Sequence, residues 1–142
     1  MKAEGNAFED NLWGCRVNGA VIKRGKSFSL SIDKLNISID IKHQDGIKIP
    51  LMGVSGGGKS TLLNLLSGME WPEDGEVTWR FPDLKEISWG KDGLSSTTAM
   101  RLRREYFGFA FQNSSLLPHL RVIDNLSYPL QSRQRIFFSN QT

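Results

Sequence analysis

Gly53-Val54-Ser55-Gly56-Gly57-Gly58-Lys59-Ser60, followed by Thr61-Leu62-Leu63-Asn64-Leu65-Leu66, is the stretch on which the reading of this chain turns. The first part fits the phosphate-loop spacing G-x-x-x-x-G-K-[ST], and the second continues as an apolar run at helical length. Glycines at 53, 56, 57 and 58 let the backbone turn through positive φ and bring bare N–H groups against an anion. Lys59 is placed to reach β- and γ-phosphates as a point charge, and the Ser60 hydroxyl to complete the shell of a bound Mg²⁺. A helix opening at Lys59 adds the positive end of its dipole. The competing reading is a Gly/Ser-rich surface turn before a core helix. Gly53, Ser55, Gly56, Gly57, Gly58, Lys59, Ser60 and Thr61 are therefore the candidate nucleotide-binding residues, with Ser60 the candidate metal ligand.

Working outward, 142 residues with 39% hydrophobic content suit one modest globular domain. No apolar run reaches membrane-spanning length, and Met1 to Asn11 is polar, so the chain is expected in the cytoplasm. Cys15 is the only cysteine, which excludes an intrachain disulfide and leaves it a spectator thiol. With His43 and His119 the only histidines, no metal cluster of the Cys/His kind is encoded. The net charge of +3 is mild, and the Arg101, Arg103, Arg104 cluster reads as a solvated helix face, so no nucleic-acid partner is expected.

Residues 1–26 show no sustained period and read as a loosely structured lead. Phe28, Leu30 and Ile32 alternate with serines, and Leu35, Ile37, Ile39 and Ile41 alternate with polar residues. That pattern predicts two amphipathic strands, with a hairpin turn at Asp33-Lys34. Gln44-Asp45-Gly46 marks a turn, and Ile47 to Met52 is predicted as the buried strand feeding the phosphate loop, with Pro50 awkward inside it. A helix ending near Gly68 precedes the turn residues Trp71-Pro72-Glu73-Asp74-Gly75, a strand over Glu76 to Trp79 and a further one over Lys85 to Trp89. Ser95 to Thr98 offers helix N-caps for a helix carrying Ala99, Leu102 and Tyr106, and Phe107 to Phe111 reads as a short strand.

Taken in order, the loop at 53–61, the stretch Gly68 to Trp79, and Gly108-Phe109-Ala110-Phe111-Gln112 resemble the nucleotide-binding domain of ABC transporters. Leu116-Leu117-Pro118-His119-Leu120-Arg121-Val122-Ile123-Asp124-Asn125-Leu126, with Pro129-Leu130, looks like the segment after that family's Q-loop. Within the family the likeness is greatest to lipoprotein-releasing and macrolide-export ATPases. The resemblance implies an α/β P-loop NTPase core, incomplete here, with an antiparallel β subdomain. It implies ATP and Mg²⁺ as ligands, and Gln112 as a nucleotide-binding residue that touches the metal. It further implies a transmembrane permease subunit or domain and a second ATPase domain as partners, at the cytoplasmic face of a membrane. Residues 27–130 then form the N-terminal part of an ABC ATPase domain, and 131–142 a truncated or divergent tail.

The departures are as informative. The family's signature loop of the Leu-Ser-Gly-Gly-Gln type, its Walker B strand ending in Asp-Glu and its switch histidine are missing from the sequence. The chain is therefore expected to be part of a longer ATPase, to bind ATP, and not to hydrolyse it alone. No catalytic residue can be assigned, and Phe28 is only a distant candidate for the aromatic that stacks on adenine. Three other readings stand beside this one. They are a P-loop GTPase or small-molecule kinase, a non-hydrolysing nucleotide-binding or interaction module, and an ABC-type ATPase outside transport.

Overall fold

The computed structural model describes residues 12–25, 27–40, 42, 47–83, 85–110 and 116–127. They divide into two compact units, the first ending at Ser95 and the second beginning at Ser96. The first unit is built on two strands of thirteen residues, β1 (Leu12–Arg24) and β2 (Phe28–Asp40), which pair antiparallel along their whole length. Arg24 lies opposite Phe28, and Gly25 opens the connection at φ 62°. A helix, α1 (Lys59–Leu66), precedes β3 (Asp74–Arg80) and β4 (Glu86–Trp89). The four strands lie in the order β2-β1-β3-β4, every neighbour antiparallel. In the second unit, α2 spans Ser96–Glu105 and buries Ala99 and Leu102, as their helical spacing predicts.

The expected loose lead does not hold over Leu12–Arg24, which form an inner strand of the sheet. Trp13, Cys15 and Val17 alternate on one face, and Ala20 and Ile22 continue the apolar set one residue out of phase. Gly14, Gly19 and this phase change hide the period from a sequence reading. Only the partners on both sides make the segment a strand.

Nor does β2 turn at Asp33-Lys34. Its apolar residues also change parity there, from Phe28, Leu30 and Ile32 to Leu35, Ile37 and Ile39, but the register with β1 is the same before and after. Between Asn18 and Val21 the pairing of β1 with β3 shifts by one residue, a bulge at Gly19 and Ala20. Gly19 takes φ 59° and Gly75, on β3, φ 77°. A Cβ on Gly75 would stand 2.3 Å from the Gly19 carbonyl, so only glycine fits where the strands touch. What looked like a turn signal in β2 lies at the level of a bulge between β1 and β3.

The core lies between the sheet and α1. Cys15, Val17, Val77 and Trp89 are buried on cross-strand positions of one face, with Leu65 from the helix. Both indoles of that face reach the end of α1, Trp79 Nε1 donating to the Leu66 carbonyl at 2.7 Å and Trp89 Nε1 to Leu65 at 3.2 Å. Ser67 N–H donates to Leu63 O at 3.0 Å and Met69 N–H to Asn64 O at 2.9 Å, with Gly68 at φ 64° making the turn. The last four helix carbonyls are thus all satisfied, two of them by tryptophans from neighbouring strands.

Two predicted strands are missing. Residues 47–54 lie in no strand or helix, and Ile47, Ile49, Leu51, Met52 and Val54 are all exposed. Pro50 has no N–H to give a ladder, and among the described residues no strand runs beside it. Likewise residues 107–110 take no regular structure, while Phe111 and Gln112 lie outside the described residues. Among those residues the only sheet is antiparallel, and the parallel core implied by the α/β reading is not seen there.

Candidate functional site

The loop between residue 53 and α1 takes its shape from glycine and from one turn. Gly57 N–H donates to Val54 O at 3.1 Å, closing Val54 to Gly57. Gly56 and Gly58 flank that closure at φ 78° and 85°, left-handed values that a side chain would strain. Gly58 is the residue before the first turn of α1, and the first intrahelical bond is Leu62 N–H to Gly58 O at 2.8 Å. The amides of Lys59, Ser60 and Thr61 precede it and have no carbonyl one helical turn back, as at every helix start. No acidic side chain occupies the first turn. The result is a helix N-terminus with positive partial charge and no local anion to neutralise it.

Lys59 is folded across the loop. Its Nζ donates to Gly53 O at 2.9 Å and to Val54 O at 2.7 Å. An ammonium has three donors, so two anchor the side chain and one remains for a ligand. Ser55 and Ser60 are exposed, and Thr61 is buried at the base of the helix. The predicted residues from Gly53 to Thr61 form this loop and the first turn of α1, with Lys59 folded back over Gly53 and Val54 and Ser60 exposed in the first turn. Gln112, the other predicted ligand residue, lies outside the described residues. Among the described residues no cluster of three or more His, Cys, Asp or Glu side chains could hold a metal ion. A cation here would depend on the Ser60 hydroxyl and on oxygens brought by its ligand, the mode suited to Mg²⁺.

The sequence reading left one contact unseen. If Gly58 carried a Cβ, it would lie 3.2 Å from a Leu30 methyl and 3.6 Å from Phe28 Cζ. Both side chains come from the start of β2, so the hairpin packs against the residue that opens α1. Twenty-odd intervening residues conceal this in the sequence, and the only cue was the aromatic at the head of an alternating run. Glu105 and Asp124 are each engaged by an arginine within the second unit. Glu105 pairs with Arg101 at 3.0 Å, and Asp124 takes a two-pronged bond from Arg121 at 2.7 and 3.1 Å. Cys15 is fully buried, and burial pushes its thiol up to about 12, which keeps it protonated and unreactive.

The family model described as ABC transporter matches residues 36–141. The chain is 32% identical to the sulfate/thiosulfate import ATP-binding protein CysA of Bradyrhizobium diazoefficiens, over 81% of this chain and 28% of that protein. It is 37% identical to the macrolide export ATP-binding/permease protein MacB of Burkholderia pseudomallei, over 74% of this chain and 14% of that one. With the lipoprotein-releasing system ATP-binding protein LolD of Hydrogenovibrio crunogenus it shares 36% identity, over 68% of this chain and 39% of the relative. The chain therefore spans well under half the length of these relatives. No solved structure matches it significantly. Among the described residues no helix is long and apolar enough to cross a membrane. With the match running from β2 through the phosphate-loop spacing to residue 141, the chain belongs to the ABC transporter family.

Proposed function

We propose that this chain binds MgATP through the loop at 53–61 and is the phosphate-loop part of an ATPase that energises transport across a membrane. The observation that carries the reading is the loop itself. Gly56 and Gly58 take left-handed φ, the first-turn amides of α1 have no helical partner, the Lys59 ammonium lies over the Gly53 carbonyl, and no acidic residue stands in that turn. Gly53, Ser55, Gly56, Gly57 and Gly58 supply backbone to the phosphates. Lys59 binds them by charge, Thr61 seats the helix, and Ser60 would complete the shell of a Mg²⁺ that neutralises phosphate charge; the family likeness assigns Gln112 to the same ion. Phe28, packed against Gly58, is the aromatic we assign to the adenine base. Because β1 is an inner strand, we extend the domain back to Leu12.

ATP turnover requires a carboxylate to polarise water and charge on the leaving phosphate, and the sequence supplies Lys59, Ser60 and Gln112 but no such carboxylate. This chain contributes the phosphate-loop half of a site to which a second ATPase domain brings the signature loop. Its partner on the membrane side is a permease, met through Gln112 and the surface of residues 116–130, at the cytoplasmic face. The printed names of the relatives, which pair ATP binding with import, export and permease, support this assignment.

Calorimetric titration of MgATP into wild type and Lys59→Ala tests the site. Loss of the charged contact, worth about 1.5–3 kcal/mol, lowers affinity roughly tenfold to a hundredfold. Equal affinities would remove the loop from the site. In the same preparations, magnesium-dependent phosphate release that vanishes with Lys59→Ala would show that the chain completes a catalytic site on its own.

A further inference from the structure

Asn125 lies on a helical segment, residues 122–127, in the second unit. Its side chain is fully engaged with backbone that precedes it. Oδ1 accepts from Leu117 N–H at 2.7 Å. Nδ2 donates to Leu117 O at 3.1 Å, to Leu120 O at 3.3 Å and to Arg121 O at 3.2 Å. Three carbonyls around Nδ2 and one N–H on Oδ1 fix which way the carboxamide faces. Leu117 is held at both its backbone groups, as it would be by a paired strand. The turn it begins closes on itself through Leu120 N–H to Leu117 O at 3.1 Å. At the head of the helical segment, Arg121 and Asp124 form their two-pronged pair, and Ser127 Oγ donates to Asp124 O at 3.2 Å.

We infer that Asn125 is a positioning residue: its carboxamide clamps the turn 117–121 onto the helical segment and so sets Leu116, Val122, Ile123 and Leu126 in a fixed exposed arrangement. Those four side chains are all more than half exposed. Burial does not hold this segment in shape, so its conformation must come from local polar bonds, and the Asn125 side chain adds four that join the turn to the helix beyond its own N–H to Arg121 O at 3.0 Å and the Arg121–Asp124 pair. No other residue type does this equally well. Alanine has neither donor nor acceptor, aspartate keeps the acceptor for Leu117 N–H but turns a carboxylate toward three carbonyls, and glutamine carries the group one methylene too far. That the fixed arrangement faces a permease rests on the reading given above; the clamp itself does not.

Hydrogen exchange of the full 142-residue chain, resolved at Leu117 by NMR, tests the clamp. Asn125→Ala should speed exchange of the Leu117 amide at least about tenfold, while the β1 amides of the first unit keep their wild-type rates. Asn125→Asp should retain most of the Leu117 protection, because the acceptor survives. Wild-type exchange at Leu117 as fast as in Asn125→Ala would overturn the inference, as would identical behaviour of the alanine and aspartate variants. If Asn125→Ala also releases the β1 amides, the aspartate variant decides by the same criterion. A failure of permease coupling would leave this readout unchanged, so the two readings fail separately.

Discussion

Val17, Val77 and Trp89 are 0%, 0% and 2% exposed on the sheet, whereas Ile49, Met52 and Val54, a few residues before α1, are 55%, 85% and 79% exposed. The two regions are similar in apolar content and both lead into or lie beside the same helix. They differ in partners. Each strand from β1 to β4 has a neighbour that takes up its backbone N–H and C=O groups, and α1 covers one face. The segment 47–54 has neither among the described residues, and Pro50 removes one donor from it. Hydrophobicity makes a stretch eligible for burial, and backbone pairing decides whether burial is affordable, because an unpaired peptide group taken from water costs more than an apolar side chain gains.

The covered face should be the more sensitive of the two by a wide margin. Trp89→Ala removes a buried indole and one of the two donors to the Leu65 carbonyl, the Gly68 N–H remaining, so stability to denaturant should fall by about 3–5 kcal/mol. A loss under about 1 kcal/mol would mean that α1 does not rest on this face. Next in size is the bulge between β1 and β3. Gly75→Ala must strain a left-handed backbone and push against the Gly19 carbonyl, together about 2–4 kcal/mol. Gly19→Ala, with open space for its Cβ, should cost only the backbone strain of about 1–2 kcal/mol. Equal losses from the two variants would argue against the close approach.

A smaller effect should appear at alkaline pH. Burial raises the Cys15 thiol to about 12 from an ordinary value near 9.0. Above about pH 9 the unfolded chain releases a proton that the folded one retains. The contribution is thus complete below that pH and is lost as pH rises toward 12, at up to about 1.4 kcal/mol per unit. Denaturation of wild type and Cys15→Ala at pH 8 and pH 10 should show a steeper decline in the wild type. Parallel declines would place the thiol in contact with water. Smallest of all, Ile49→Thr and Pro50→Val should each change stability by less than about 0.5 kcal/mol, as at other solvated positions. A gain above about 1 kcal/mol from Pro50→Val would reveal that residues 47–52 are paired as a strand after all.

Legibility in the sequence followed the range of the forces. The glycine-rich loop, α1 with its end near Gly68 and α2 beginning at Ser96 were all readable, because glycine conformation, helix periodicity and capping act within a few residues. The strands β3 and β4 were readable from turn residues at Trp71 to Gly75 and a two-residue period. At β1 the reading failed, since Gly14 and Gly19 interrupt the alternation and the partners lie up to 66 residues away, Gly14 opposite Arg80. In β2 the parity break was visible at Asp33-Lys34, yet the strand runs unbroken past it. Asn125 passed unnoticed because an asparagine near a turn is common, and only its four bonds distinguish it.

The sequence by itself determined the family, the glycine-rich loop before α1 and the local helices. It did so because an anion cradle needs small residues, a cation and a helix start in contiguous order. The tertiary structure decided that Leu12–Arg24 is an inner strand and that β2 runs unbroken past Asp33. It also placed Phe28 and Leu30 against Gly58, and left residues 47–54 uncovered. Those outcomes depend on hydrogen-bond partners and packing surfaces contributed by distant segments, and no window of residues contains both halves of such a contact.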